Sequence, residues 1–172
     1  LLLALESSEI SDILVTTDDP AVAERAKKLG CPVPFLRPVA LSTDESSTAQ
    51  TTLHALNWSK AHTGKDPDIV VLLQVTSPLR PPEAITQAVT MLRNHHEIDA
   101  VVSMRNLQLA SDNLYSEGQT GFLTPLIGIR EAASVLIPNG AIYAIRTPVF
   151  RRQLTFVPER TIPIVMGASE SI

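Results

Sequence analysis

The 172-residue chain is short of cysteine, of basic runs and of long apolar runs, and each shortage removes a class of function. Cys31 is the one cysteine. A lone thiol makes neither an internal disulfide nor a Cys-based zinc site, so a reducing compartment, the cytoplasm, is the expected setting. Basic residues come in runs no longer than two, as at Arg151–Arg152, and the formal net charge is −4. A nucleic-acid footprint needs a basic face, so that partner is set aside. A phosphate-bearing small ligand stays open, because a few placed arginines suffice for it. No apolar stretch reaches the roughly 18 residues of a membrane helix, so no membrane span is expected. Leu1–Leu5 is apolar but lacks the basic flank and cleavage pattern of a signal peptide. Internal repeats, low-complexity segments and a domain break are also missing.

What is present is an ordinary globular composition, 44% hydrophobic and 19% charged, at the size of one domain. Short apolar runs alternate with amphipathic segments. Ile10–Thr17 is a short β-rich run. Asp19–Gly30 follows as a helix, with Asp19 as N-cap, Pro20 in the first turn, Gly30 as terminator, and Ala21, Ala23, Ala26 and Leu29 on one apolar face. Pro32–Leu36 is extended, and Glu45–His62 is helical. Ile69–Val75 is almost wholly apolar, as a strand covered on both faces requires. Pro81–His96 is a helix, and its His95–His96 end reads as solvated rather than metal-binding. Asp99–Ser103, Ala141–Arg146 and Ile162–Met166 are further strands. Leu107–Ile137 has weak periodicity and suits hairpins or a flexible arm. Strands alternating with helices predict a three-layer α/β/α, Rossmann-like, mostly parallel sheet. Ligands of such sheets bind beyond the carboxyl ends of the strands.

The polar residues that follow the strands therefore carry the functional question. Asp18 and Asp19 are explained by helix capping alone, and so are Thr43, Asp44 and the neighbouring Ser/Thr cluster. Arg37 and Arg80 suit either a surface or turn-anchoring role or a bidentate hold on phosphate or carboxylate. Gln74 interrupts an apolar strand, where an unpartnered amide costs roughly 1–3 kcal/mol, so it needs a core network or a ligand. Pro138-Asn139-Gly140 reads as a turn, and Phe156 as core.

At this point the motifs resemble a known family. LLQVTSPLR (Leu72–Arg80) is similar to the LLQPTSPLR signature of acylneuraminate cytidylyltransferases, the CMP-sialic acid synthetases. PNGAIY (Pro138–Tyr143) resembles a second signature, and VTTDD (Val15–Asp19), LRP (Leu36–Pro38) and STDESST (Ser42–Thr48) resemble others in the same order. The resemblance implies a nucleotide-diphospho-sugar-transferase-like fold and the reaction of CTP with a nine-carbon 2-keto sugar acid to give a CMP-sugar and pyrophosphate. It implies Mg²⁺ as cofactor and a homodimer in which an arm at 107–137 reaches the neighbouring subunit. Carried over by position, Arg37, Ser46, Ser47 and Thr48 match contacts to the cytidine end. Gln74 and Asn139 match contacts to the sugar acid, Phe156 matches an aromatic of the sugar pocket, and Arg130, allowing a one-residue gap, matches the arginine that binds the sugar carboxylate.

The departures from the pattern matter as well. The family's Gly-rich basic loop would precede Leu1, and its metal-binding aspartates would follow the SESI segment at Ser169–Ile172. The expectation is thus a single cytidylyltransferase domain over 1–172, incomplete at both ends and inactive by itself, with magnesium ligands beyond Ile172. On the sugar side, Asn113 stands where the family has lysine, and Ile137 where a basic residue is frequent. These changes admit a legionaminate- or pseudaminate-type acceptor. A non-catalytic sugar-nucleotide-binding module is the alternative from another class. A glycosyltransferase on a similar sheet would need an internal Asp-x-Asp metal motif, and the expectation is that the chain holds none.

Overall fold

The computed structural model describes residues 1–107, 115–117, 123–125 and 135–170. The chain opens with a short helix, α1 (Leu2–Glu6), whose Ala4 is buried. Helix α2 (Pro20–Lys28) starts as its sequence demands. The Asp19 carboxylate accepts from the backbone N–H groups of Ala21 and Val22, and Pro20 costs the first turn no hydrogen bond. Gly30, at φ +81°, turns the chain out of it. Only Ala23 and Ala26 of the expected four-residue face are buried; Leu29 is exposed.

The segments on either side of α2, expected as strands at Ile10–Thr17 and Pro32–Leu36, are not strands. Two backbone bonds tie them together, Val15 N–H to Pro32 O (3.0 Å) and Arg37 N–H to Thr17 O (2.8 Å). Pro32 and Pro34 have no N–H to give, so a continuous ladder cannot form there.

Helix α3 (Thr48–Thr63) begins later than expected and is capped by Ser47, not by Thr43 or Asp44. Those two residues lie instead in the turn closed by Ser46 N–H to Thr43 O, which follows a 3₁₀ turn (Val39–Leu41). Strand β1 (Ile69–Leu72) leads through a loop to α4 (Pro82–Asn94), which buries Ala84, Ile85, Ala88, Val89 and Leu92, one helical face. Next come β2 (Ala100–Asn106) and a small antiparallel pair, β3 (Tyr115–Glu117) and β4 (Leu123–Pro125), inside the expected hairpin region. Strand β5 (Leu136–Arg146), helix α5 (Thr147–Gln153) and β6 (Thr161–Met166) complete the order.

The main sheet has the order β1-β5-β2-β6. β5 is antiparallel to both β1 and β2, while β6 is parallel to β2. Three strands thus point one way, as a mostly parallel sheet requires, but only the β2–β6 pairing is itself parallel. The reason is that β5 is inserted against the others. Alternation along the strands divides the core between two faces. Ile69, Val71, Val101, Ile142 and Ala144 pack on one side with α4 and Leu3 of α1. Val70, Leu72, Ala100, Tyr143 and Ile145 pack on the other with Leu56 of α3, Phe150 of α5 and Phe156. The three layers follow from this two-sided burial.

Candidate functional site

β1, β2 and β6 share a direction, so their carboxyl ends lie along one edge of the sheet. The antiparallel β5 brings its amino-terminal half to that edge, pairing Pro138 with Met104. The ladder between β2 and β5 breaks here: Val102 pairs with Tyr143 and Met104 with Pro138. The break holds Asn139 and Gly140, with Gly140 at φ +79°.

Fully buried Ser103 serves the backbone groups that this irregularity leaves without ladder partners. Its Oγ accepts from Ile142 N–H (2.7 Å), and its one proton faces both Asn139 Oδ1 (2.6 Å) and Ile142 O (3.1 Å). Asn139 Oδ1 also accepts from Ala141 N–H (3.1 Å), and Asn139 Nδ2 approaches Met166 Sδ at 3.3 Å. The Asn139 side chain is therefore held by β2, β5 and β6 together.

Gln74 lies in the loop after β1. Its carbonyl accepts from Ser77 N–H (3.3 Å) and from Arg80, which takes it out of the sheet and ends β1 at Leu72 rather than Val75. Val75 accordingly stands exposed at the turn. Ser77 Oγ donates to Asn139 O (2.9 Å), joining this loop to β5. A Cβ on Gly140 would lie 2.6 Å from Gln74 Oε1 and 3.0 Å from Ser77 Oγ. Gln74 and Asn139, assigned to one ligand by the motifs, are thus neighbours in space. Among the described residues, the Gln74 amide makes no side-chain hydrogen bond.

A second group forms around Arg37. Its guanidinium donates to Asp18 Oδ1 (2.5 Å) and to Ser42 Oγ (3.2 Å). The hydrogen bond from Arg37 holds the Asp18 carboxyl below the usual carboxylate range. Ser46 Oγ accepts from Thr43 N–H (3.1 Å), and Ser47 Oγ accepts from Gln50 N–H (3.1 Å). Both hydroxyls work as acceptors in their turns, and Ser47 keeps its own proton to donate. Thr48 opens α3. Among the described residues, no hydrogen bond joins this group to the Gln74–Asn139 group.

Phe156 is buried, with its ring centroid 4.8 Å from that of Phe150 and 5.4 Å from that of Tyr143, as a core aromatic would be. Arg130 lies outside the described residues, as does Asn113. Contrary to expectation the chain does hold an Asp-x-Asp, Asp66-Pro67-Asp68, at the amino end of β1. There Asp66 bonds Arg151 (2.6 Å) and Lys60 (3.2 Å), and Asp68 O accepts from Thr147 N–H (3.0 Å). Those contacts join α3, β1 and α5 and leave it a structural junction at the wrong end of the strand for the site.

The described residues hold no group of three or more His, Cys, Asp or Glu side chains that fits a metal ion. No helix among the described residues is long and apolar enough to cross a membrane.

Sequence reading missed Ser77 and Ser103. The signal for Ser103 is the one that flags Gln74, a polar side chain inside an apolar strand; Ser77 is hidden in turn-like sequence.

Comparison with known proteins gives the setting. A family model described as cytidylyltransferase matches residues 2–158. A CMP-N,N'-diacetyllegionaminic acid synthase from Legionella pneumophila is 31% identical over 178 residues, covering 98% of this chain and 75% of that protein. An N-acylneuraminate cytidylyltransferase from Streptococcus agalactiae is 27% identical over 177 residues, covering 98% of this chain but 41% of that protein. Among solved structures, a CMP:2-keto-3-deoxy-manno-octonic acid synthetase complexed with CTP aligns at a TM-score of 0.63 and 17% identity, over 96% of this chain and 77% of that one. A 4-diphosphocytidyl-2C-methyl-D-erythritol synthase from Anaerococcus prevotii aligns at a TM-score of 0.63 and 11% identity, over 98% of this chain and 75% of that one. Those two likenesses establish the fold.

Proposed function

The chain belongs to the cytidylyltransferase family, and from that membership we propose that it activates a sialic-acid-like nine-carbon 2-keto sugar acid with CTP, giving the CMP-sugar and pyrophosphate. In this reaction the anomeric hydroxyl of the sugar attacks the α-phosphate. A new P–O bond forms, the bond to the bridging oxygen breaks, the hydroxyl proton is lost and pyrophosphate leaves. The observation that carries the proposal is the meeting of Gln74 and Asn139 at the carboxyl ends of β1, β2 and β6. That is where ligands of such sheets bind.

Each residue has a part in this reading. The Gln74 amide has both a donor and an acceptor to offer the sugar acid, and none of them is taken by the described residues. Asn139 frames the same place, held by Ser103 Oγ at 2.6 Å. Ser47 and Thr48, at the amino end of the 16-residue helix α3, offer hydroxyl protons where the helix dipole favours anionic or electron-rich groups. Ser46 shapes the turn that precedes them. Arg37, anchored on Asp18 and Ser42, presents its remaining N–H groups to the nucleotide. Arg130 is proposed for the sugar carboxylate, and Phe156 for the apolar wall of the pocket. A divalent ion, where the reaction uses one, is proposed to be held by groups other than those described.

A legionaminic-type acceptor is the second reading. It is favoured by the Legionella relative and by Asn113 and Ile137 on the sugar side. The test uses the full reading frame that encodes this chain, purified and supplied with CTP, Mg²⁺ and separate sialic, legionaminic and pseudaminic acids, with pyrophosphate release followed. Release with one acid establishes the transferase and names its acceptor. CTP binding without release for any acid favours a non-catalytic sugar-nucleotide-binding module instead.

A further inference from the structure

Arg80 is the only buried cation among the described residues, at 9% exposure. The sequence left it between anchoring a turn and holding an anion, and no role in the proposed reaction uses it. Among the described residues it has no carboxylate partner. One terminal nitrogen donates to Ser77 O (2.7 Å) and to Gln74 O, and its Nε is buried with no hydrogen-bond partner. Burial lowers its pKa from the usual guanidinium value. Burying part of a guanidinium, here its Nε, without a counter-ion is costly, and two carbonyl dipoles offset that cost only in part. An exposed lysine or a plain turn would spare the fold this burden.

The placement of the two carbonyls shows what the burden achieves. They are the ends of one tight turn, closed by Ser77 N–H to Gln74 O. A single nitrogen gripping both oxygens holds that turn shut. The far side of the turn is tied to β5 through Ser77 Oγ and Asn139 O, and Gly140 leaves the space that Gln74 Oε1 fills. Arg80 thus fixes the backbone from which the Gln74 side chain starts, beside the space that Gly140 leaves open.

We propose that Arg80 is a positioning residue that aims the Gln74 amide at the acceptor site through the Gln74 and Ser77 carbonyls, and so governs affinity for the sugar acid and not for CTP. The inference rests on the acceptor role proposed for Gln74.

The test is a double-mutant cycle on the full protein, read by pyrophosphate release. Arg80→Met is expected to raise the KM for the sugar acid about tenfold or more, since it removes charge-assisted hydrogen bonds. The KM for CTP and kcat should stay within about twofold, because uniform acceptor binding alone is lost. In a Gln74→Ala background, Arg80→Met should add less than about twofold, as coupled residues do. Equal losses in both backgrounds, or parallel rises in both KM values, would mark Arg80 as merely structural and overturn the proposal. Arg80→Lys keeps the charge and loses the fork, so it should give an intermediate loss and covers the case in which Arg80→Met does not fold. Wild-type kinetics for Arg80→Lys would likewise overturn it. If the wild-type protein releases no pyrophosphate with any acid, the proposed function fails on its own. The positioning role is then read from the side-chain amide protons of Gln74 by NMR, assigned with Gln74→Ala. Their shifts should move toward those of an exposed glutamine in Arg80→Lys; unmoved shifts reject the role.

Discussion

Gly140→Ala probes the join between the loop after β1 and β5, and the fold supplies its own control. Gly140 and Gly64 share the same left-handed backbone, φ +79° at each. An L-residue in that region costs about 1–2 kcal/mol wherever it stands. At Gly64, which ends α3, an added Cβ meets nothing within 4 Å, so Gly64→Ala measures that strain alone. At Gly140 the same Cβ would stand 2.6 Å from Gln74 Oε1 and 3.0 Å from Ser77 Oγ. The Gln74 amide is the far end of a flexible side chain and yields by swinging away, at small cost to stability. The Ser77 hydroxyl is bound to Asn139 O at 2.9 Å, and displacing it forfeits a further ~1 kcal/mol. Gly140→Ala should therefore lose about 2–3 kcal/mol against about 1–2 kcal/mol for Gly64→Ala, measured by urea unfolding at constant m. Because Gln74 has moved, Gly140→Ala should also weaken sugar-acid binding while Gly64→Ala leaves it alone; calorimetric titration with the acid reads this. Equal stability losses together with unchanged binding by both variants would refute the placement of Gln74 against Gly140.

The remaining predictions concern the supports of the site. Ser103→Ala strips partners from Ile142 N–H and from the Asn139 side chain inside the sheet, and should cost about 1–3 kcal/mol in urea unfolding. The hydrogen bond from Arg151 holds the Asp66 carboxyl below its usual value, so its contribution is full above the ordinary carboxylate range and fades as pH falls through the folded pKa. Asp66→Asn should therefore lower the thermal midpoint at pH 7, and the difference from wild type should shrink steadily below about pH 4. Removing residues 115–128 from the full protein should convert the proposed homodimer into a monomer; a dimer by light scattering rejects the arm as the contact.

The long amphipathic segments and the apolar strands were legible because their signals are local. Asp19, Pro20 and Gly30 bracket α2 within a dozen residues, and the α4 stripe repeats at helical spacing. The strands at Ile10–Thr17 and Pro32–Leu36 were misread because β-rich composition says nothing about partners, and Pro32 and Pro34 withhold the donors a ladder needs. The start of α3 slipped by three residues because the Ser/Thr cluster offers several competent caps, and only the preceding turn selects Ser47. The direction of β5 was also hidden. Alternation along a strand reports which faces are covered, not which way its neighbours run.

The site was legible as a list and not as an arrangement, and the reason lies in where its polar residues find partners. Gln74 and Ser103 both interrupt apolar runs of sequence, yet Ser103 is satisfied from within and the Gln74 amide, among the described residues, is not. Ser103 stands in β2 opposite the ladder break that frees Ile142 N–H, so the fold itself supplies its partners 39 residues away along the chain. Gln74 stands two residues past the end of β1, where its backbone is taken by Arg80 and Ser77 and its amide is left facing the space that Gly140 opens. A half-buried amide on a held backbone, itself unpaired among the described residues, is what a polar ligand can complete, since the energetic asymmetry favours whatever supplies the missing bonds. The same asymmetry predicts discrimination. An acceptor lacking the group that meets this amide should lose more than the bond itself, because it would leave Gln74 desolvated and still unpartnered.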